Sequence, residues 1–436
     1  MMKSFASQCW GFFSIVFALI ALALGGSMML ITCQEAYLNG LFGLLYMAGI
    51  SCGFLLLGFG FAHKMKAMGV ENTVDLFEIK YRSPFIRTCA SILTLITVWG
   101  LLLGQFVAAR SLIHSLGYTN ENIFIALIIG AIFYSILGGL NAIGVSYHAQ
   151  LAYTVMIFGG IFGFCLVKEP PTLLLDLFLN RTFYTQNTIA FSTIFASLVI
   201  PALYYLTDQE FSQPLLDVSH KKIIAAASAI TACFFMLLFS LVPIYFGIKA
   251  KALNLGIPAG DSPLIPVLKS LTHEWVVWLA IVGLATALIA MIDYYLWSIS
   301  LSVTHEIYLA FNLPKQNKIL DRLMVFIVGL AALAGSYCTS SNAIQILMYS
   351  YELYDCCLIV PLLMSYFQTD LKKGSAIGSI VFGLSGFILF QLLPVTFSTQ
   401  FASLFLSFCG FYIGAWIEKI IMSTATYRSS DTCSVS

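Results

Sequence analysis

The chain has 436 residues, of which 60% are hydrophobic and 9% charged, and its net charge is +1 at neutral pH. So apolar a composition excludes a soluble globular domain, and a mean hydropathy of +0.92 agrees. The near-neutral balance gives no reason to expect nucleic acid or a strongly acidic partner.

The charges are swept into narrow clusters. Residues 4–34, 36–62, 88–109, 122–167, 182–207, 223–248, 323–351 and 374–417 contain no Asp, Glu, Lys or Arg. A helix rises about 1.5 Å per residue, so roughly 20 apolar residues cross a bilayer's hydrocarbon core. These runs are apolar all round rather than alternating, which selects helices over barrel strands. Turn and charge signals predict twelve spans near 11–33, 39–62, 86–115, 121–138, 147–167, 189–207, 222–247, 275–303, 322–338, 342–367, 375–394 and 399–421. The first span is too long for a signal-peptide core and reads as a transmembrane helix. The expectation is an all-α polytopic membrane protein of one domain, residues 1–436, embedded in a lipid bilayer; its oligomeric state does not follow from the sequence.

Between the spans, segment 63–87 carries mixed charge, and Thr73 to Glu78 reads as a short capped amphipathic helix at the membrane surface. Loops 168–188 and 249–274 read as external, either as plain connectors or as a lid. Twelve spans put both termini on one side. With the termini cytoplasmic, fifteen Lys and Arg lie inside and six outside, which satisfies the positive-inside rule for a multi-pass protein of the cytoplasmic (inner) membrane with a polar tail at 422–436. The eleven cysteines include Cys52, Cys89, Cys165, Cys233 and Cys409 within spans, without zinc-type spacing, and read as packing residues. Cys356 and Cys357 are expected to point in different directions. No phosphate-binding loop, HExxH or Ser/His/Asp arrangement marks an enzyme, and no cofactor is expected.

Ionisable groups inside spans are costly and therefore functional candidates. Asp293 in the eighth span has two readings, a cation ligand or an interhelical partner. Glu352 and Asp355 lie one turn apart in the tenth, and two close carboxylates disfavour joint ionisation. That suits proton exchange or a cationic solute, against a hydrogen-bonded pair facing water. Arg110 is expected to snorkel, and Asp208 and Glu210 to be solvated.

Several stretches together resemble the sodium:solute symporter family. Gly25-Gly-Ser-Met-Met-Leu-Ile-Thr-Cys-Gln-Glu-Ala-Tyr-Leu-Asn-Gly40 is similar to that family's interrupted first core helix, and Asn72 to Ser83 to its T-x-x-D-x-x-x-x-R-[FY] loop. Tyr134-Ser-Ile-Leu-Gly-Gly-Leu-Asn-Ala142 followed by Gln150 resembles its most recognisable motif. Tyr204-Tyr-Leu-Thr-Asp-Gln209, Asp293 through Tyr308, and Pro361 with Lys373-Gly-Ser-Ala376 continue the likeness in order. The resemblance implies a leucine-transporter (LeuT)-type fold: inverted five-helix repeats at about 11–168 and 189–367, then two additional helices at 375–421. Within that frame Gly25-Gly26 and Pro201 interrupt corresponding spans of the two halves, a sequence pointer to a midplane binding site.

It also implies site residues. A small organic solute would meet Met28 and Thr32 on the first span, Tyr204 as the inner-gate aromatic on the sixth, and Tyr349, Leu353 and Glu352 on the tenth. A coupling Na+ would meet the carbonyls of Ala21 and Leu24 and the eighth span near Ala287 and Asp293. The chain departs from the family where Ala290 and Met291 stand in place of a hydroxyl pair, and Val145-Ser146-Tyr147 in place of an acid-bearing stretch. Sodium prefers hard oxygen ligands. Coupling to H+ through Asp293, Asp208 or Glu352, a displaced Na+ site, and an uncoupled carrier or solute-sensing receptor all remain open. The expected function is a symporter of a small organic solute, with an amino acid or other zwitterion favoured.

Overall fold

The computed structural model describes residues 12–68, 73–118, 120–168, 191–208, 215, 222–258, 261–311, 317–339, 342–393 and 398–433. The described chain is helical throughout, in chain order α1 (Phe12–Ala23), α2 (Gly26–Asn39), α3 (Leu44–Leu56), α4 (Ala62–Ala67), α5 (Asp75–Tyr81), α6 (Pro84–Ser115), α7 (Glu121–Lys168), α8 (Phe191–Thr207), α9 (Lys222–Ala252), α10 (Leu264–Leu271), α11 (Glu274–Phe311), α12 (Lys318–Cys338), α13 (Ala343–Tyr354), α14 (Val360–Phe367), α15 (Lys373–Leu392) and α16 (Thr399–Cys433). A short 3-10 turn, Gly40–Gly43, joins α2 to α3, and π-helical turns join α3 to α4 (Leu57–Phe61) and α13 to α14 (Asp355–Ile359). Ten of the described helical runs are long and apolar enough to cross a membrane, and α1 and the α8 segment are shorter apolar helices.

Local chemistry explains the ends. Pro84 opens α6, where its missing N–H is not needed. Asn317 accepts from the Ile319 amide at 3.1 Å, and Asn342 from the Gln345 amide at 3.0 Å, capping α12 and α13. The fourth and fifth predicted spans form a single run, α7, bent at Gly139 with φ 64°, a conformation that favours glycine.

The packing is concentric. In the run from Ala343 to Phe367, 78% of the apolar window is buried, against 22% in α12 and in the α16 window, so the former is central and the latter face lipid. α8 packs on α3, α9 on α2 and α3, α11 on α7 and α6, and α13 on α6. α15 and α16 form their own pair, with Gly374 and Gly378 against Gly414 and Gly410 at backbone contact, the small-residue approach that membrane helices use.

Five expectations change. Pro201 lies inside α8, which is helical from Phe191 to Thr207 without a break at the proline. α5 is not capped by a side chain, and it buries Leu76, Phe77 and Tyr81 against the protein. Thr73 instead donates to the Thr207 carbonyl at 3.0 Å. α16 continues as helix to Cys433, through most of the predicted polar tail. Cys356 and Cys357 do not diverge: their sulfurs lie 3.8 Å apart in the wider π-turn. The nine described cysteines are all free. Loop 168–188 falls, after its first residue, outside the described residues, while loop 249–274 contains the buried α10.

Candidate functional site

The helical ladder of α1 runs out at Leu24, whose N–H donates to Ile20 at 2.8 Å, and the next turn begins with Met28 N–H to Gly25 O at 3.1 Å. Leu24 and Gly25 between them are non-helical, Gly25 being extended at φ −75° and ψ 163°. A helix leaves its last four carbonyls and first four amides without intrahelical partners, so this break offers both kinds of group at one place. The end of α1 is partially negative and the start of α2 partially positive.

α11 closes on the break. A methyl on Gly26 would come 2.6 Å from the Leu284 carbonyl and 2.9 Å from the Leu288 amide, so only glycine admits this approach. One on Gly25 would come 2.7 Å from Cγ of Met291. The α11 groups that meet the break are thus the Leu284 and Leu288 backbone, the Leu288 side chain and the Met291 thioether, none of them a hydroxyl.

Beside the break lies a narrow cavity of about 20 Å³, room for about one water. Leu22, Ala23, Gly25, Ser27 and Met28 wall it on one side, Gln105 of α6 on another, and Met291 and Tyr295 of α11 on a third. Tyr46, Tyr205, Tyr351 and Leu347 complete it. Gln105 Oε1 is buried without a hydrogen-bond partner. Apart from tyrosine, no titratable side chain lines the cavity.

Aromatic rings close one end. The Tyr351 hydroxyl shares hydrogen bonds with Tyr46 at 3.1 Å and Tyr205 at 3.3 Å, and its ring lies 4.4 Å from that of Tyr204. Tyr354 packs edge-on to Tyr204 at 5.3 Å. Behind this layer α5 ties the bundle: Tyr81 donates to the Pro361 carbonyl at 2.7 Å, and burial pushes its phenol up, which keeps the proton in that bond. The Thr73 bond to α8 lies on the same connector.

The expected residues divide. Met28 lines the cavity, Ala21 lies in the last turn of α1 before the break and Leu24 in the break itself, and Tyr204 lies in the closing layer. Thr32 is buried one turn beyond, with its hydroxyl 3.7 Å from the Met28 sulfur. Tyr349 is 40% exposed and Leu353 half-buried, and neither lines the cavity. Tyr351 takes their place, because α13 turns Leu347 and Ser350 toward Gly104 and Gly100 of α6. Asp293 is 2% exposed and faces Ser135 of α7, whose carbonyl accepts from Trp297 at 3.0 Å, rather than the break. Glu352 and Asp355 lie on the α15–α16 side of the tenth span. Asp208 is buried at 7% exposure rather than solvated, and Glu210 lies outside the described residues. Arg110 pairs with Glu121 at 3.3 Å and stacks on Phe124 and Tyr337. Gln105, Tyr46, Tyr205 and Tyr351 went unselected in sequence, although each is a polar group in a charge-free run.

A larger crevice of about 390 Å³ lies between α8, α14 and α16. Its lining is wholly apolar and gives a polar solute nothing to bond.

No family model matches the chain, and no curated protein matches it. Solved structures do. A Na+-coupled sialic acid symporter in a substrate-bound outward-open state superposes with a TM-score of 0.74 at 15% identity, over 93% of this chain and 88% of that one. Mhp1, a nucleobase-cation-symport-1 family transporter in a closed conformation with bromovinylhydantoin bound, gives 0.53 at 13% identity, over 94% of each chain. MhsT in complex with L-phenylalanine gives 0.54 at 12% identity, over 92% of this chain and 97% of that one. The chain therefore has the leucine-transporter-type fold.

Proposed function

We propose that the protein is a secondary transporter that moves a small organic solute across a membrane by alternating access, coupled to an ion gradient. The observation that carries this reading is the non-helical Leu24–Gly25 segment beside a narrow cavity floored by tyrosines from three other helices. Solute pockets run to about 300–1,000 Å³, so a cavity of about 20 Å³ must open to load, and the groups that shut it sit on helices able to separate. Two of the fold's solved examples are named as cation-linked symporters or transporters, which supports the same reading.

The solute class follows from the lining. No carboxylate or basic side chain faces the cavity, so a solute's charges would be met by the broken helix: a carboxylate by the amides opening α2, an ammonium by the carbonyls closing α1. A zwitterion with an apolar or aromatic body fits the tyrosine and methionine walls. Gln105 adds one amide.

The coupling ion is less well served by the ordinary sodium geometry. Carbonyls at the end of α1 remain available, but Ala290 and Met291 supply no oxygen, so the residues here do not fit a Na+ at that position. Uptake into proteoliposomes tests the proposal, with solute classes screened under imposed H+ and Na+ gradients. Accumulation driven by one gradient is the expected result, and failure to accumulate any class under either would end the carrier reading in favour of a solute receptor.

A further inference from the structure

Asp293 is one buried acid away from the break; the tenth span holds two together. Glu352 lies in the last turn of α13 and Asp355 opens the π-turn, each 1% exposed. None of their four carboxyl oxygens has a hydrogen-bond partner among the described residues. Three residues apart on one helix, the two side chains share a side. That side meets α15 and α16: a Cβ on Gly383 of α15 would collide with the Cys356 carbonyl, and Gln400 of α16 approaches Glu352 without closing a bond. The Gln400 carbonyl is itself taken, accepting from Ser398 at 2.8 Å.

Two bare carboxylates cannot share a dry interior. Each would need a counter-charge, and together they repel. Among the described residues, the packed elements provide no cation. α8 has no basic residue, α15 has only Lys373 at its first position, and α16 has none before Lys419. On α6, Arg87 pairs with Asp75, Glu78 and Glu306, and Arg110 with Glu121. The acid of α2, Glu35, accepts from Asn39 at 2.9 Å. The remaining titratable neighbours are Tyr351, Tyr354, Cys356, Cys357 and Tyr366 on the same span and Tyr204 and Tyr205 on α8, all neutral donors, together with the buried acid Asp208 at the end of α8, which faces Tyr351 and Tyr354 and adds no cation. A π-turn at this point is a second mark of function, since such turns concentrate at working sites.

We infer that Glu352 and Asp355 form a proton-binding pair, carrying protons on both carboxyls while the cavity is closed and releasing at least one to water when the tenth span moves. Release breaks the carboxyl O–H bond, leaves its electron pair on the carboxylate and hands the proton to water; loading reverses it. The inference rests on the carrier reading for its purpose. It also gives that reading its linkage: Tyr351, next in sequence to Glu352, faces the cavity from the same helix, so opening the tyrosine layer and exposing the pair move one element.

Infrared spectroscopy of the full chain in lipid vesicles tests this with the proton alone as ligand. At neutral pH the wild type should show the carbonyl stretch of protonated, buried carboxylic acids, and raising the pH should convert it to the carboxylate stretch. Glu352→Gln and Asp355→Asn should each remove one component. The inference is overturned if the wild type shows no protonated band at neutral pH, if both variants leave the band whole, or if replacing choline chloride by NaCl at fixed pH abolishes it, which would make the pair a sodium site. Should neither variant fold, the wild-type titration and the NaCl exchange still decide. No solute or transport enters the measurement, so intact bands with no uptake under any gradient would sink the carrier reading while leaving the proton pair standing.

Discussion

The two spans that carry paired helix-weakening signals, the first and α8, respond to them differently. α1 and α2 part at Leu24–Gly25, where the backbone itself becomes a ligand surface. α8 runs straight through Pro201, although proline there forfeits one helical hydrogen bond. Neighbours account for the difference. At the glycines, α11 comes so close that Leu284 and Leu288 occupy the space a side chain would need. At the proline, Gly49 and Gly53 of α3 let α8 lie along it, with the Leu198 and Ala202 carbonyls and Pro201 itself packed on those glycines. A packed partner can hold a proline-bearing helix intact, and another can stabilise a chain break. An interruption in sequence therefore marks where backbone is weakened, and the tertiary contacts choose whether it opens.

That contrast can be broken experimentally. The largest effect is expected at Gly26→Ala, where the added methyl would meet the α11 backbone. Overpacking of this kind costs about 1–3 kcal/mol, so thermal unfolding should fall by several degrees and uptake should be lost. An unaltered melting temperature would mean that α11 is not held against the break. Next comes Pro201→Ala, which restores an N–H to a helix already formed. Stability should hold or rise while uptake drops about tenfold, a typical size for conformational coupling, if the proline's freed carbonyl lets α8 bend during opening. A loss of stability instead would make Pro201 a packing residue.

A subtler probe is Met291→Ser, which returns an oxygen to the α11 side of the break. The wild type should show no Na+-dependent shift in melting temperature at this position, and the variant should acquire one of a few degrees. No gain would place the vacancy in ligands elsewhere than Met291. Smallest is Tyr351→Phe. Its hydroxyl links Tyr46 and Tyr205, and a neutral hydrogen bond contributes about 0.5–1.5 kcal/mol. Stability should fall within that range and solute leak should rise as the closing layer loosens, read as faster counter-flow from preloaded vesicles.

Much was legible along the chain because a bilayer imposes so strong a constraint. Charge-free runs marked the membrane helices, since an unpaired charge in hydrocarbon is costly wherever the helix later packs. Gly25-Gly26 announced the break because two helix-weakening residues stand together in an otherwise helical run. The connector helix is legible as the amphipathic stretch Thr73 to Glu78, which the structure shifts to Asp75–Tyr81. What failed shares one cause. The residue pattern points to Tyr349 and Leu353 rather than Tyr351 and to a solvated Asp208, because each judgement needs the rotation of one helix against another. An apolar helix surrounded by either protein or lipid carries little signal of which side is which.

The sequence by itself determined that the chain is a bundle of membrane helices with a weak point at Gly25, since hydrocarbon penalises charge and unpaired backbone irrespective of neighbours. Only the tertiary structure decided that Pro201 stays helical, that Met291 fills the space beside the break, and that Glu352 and Asp355 turn from the cavity toward α15 and α16. Those outcomes depend on which helix faces touch, and contact between residues hundreds of positions apart is not written in the local order of side chains.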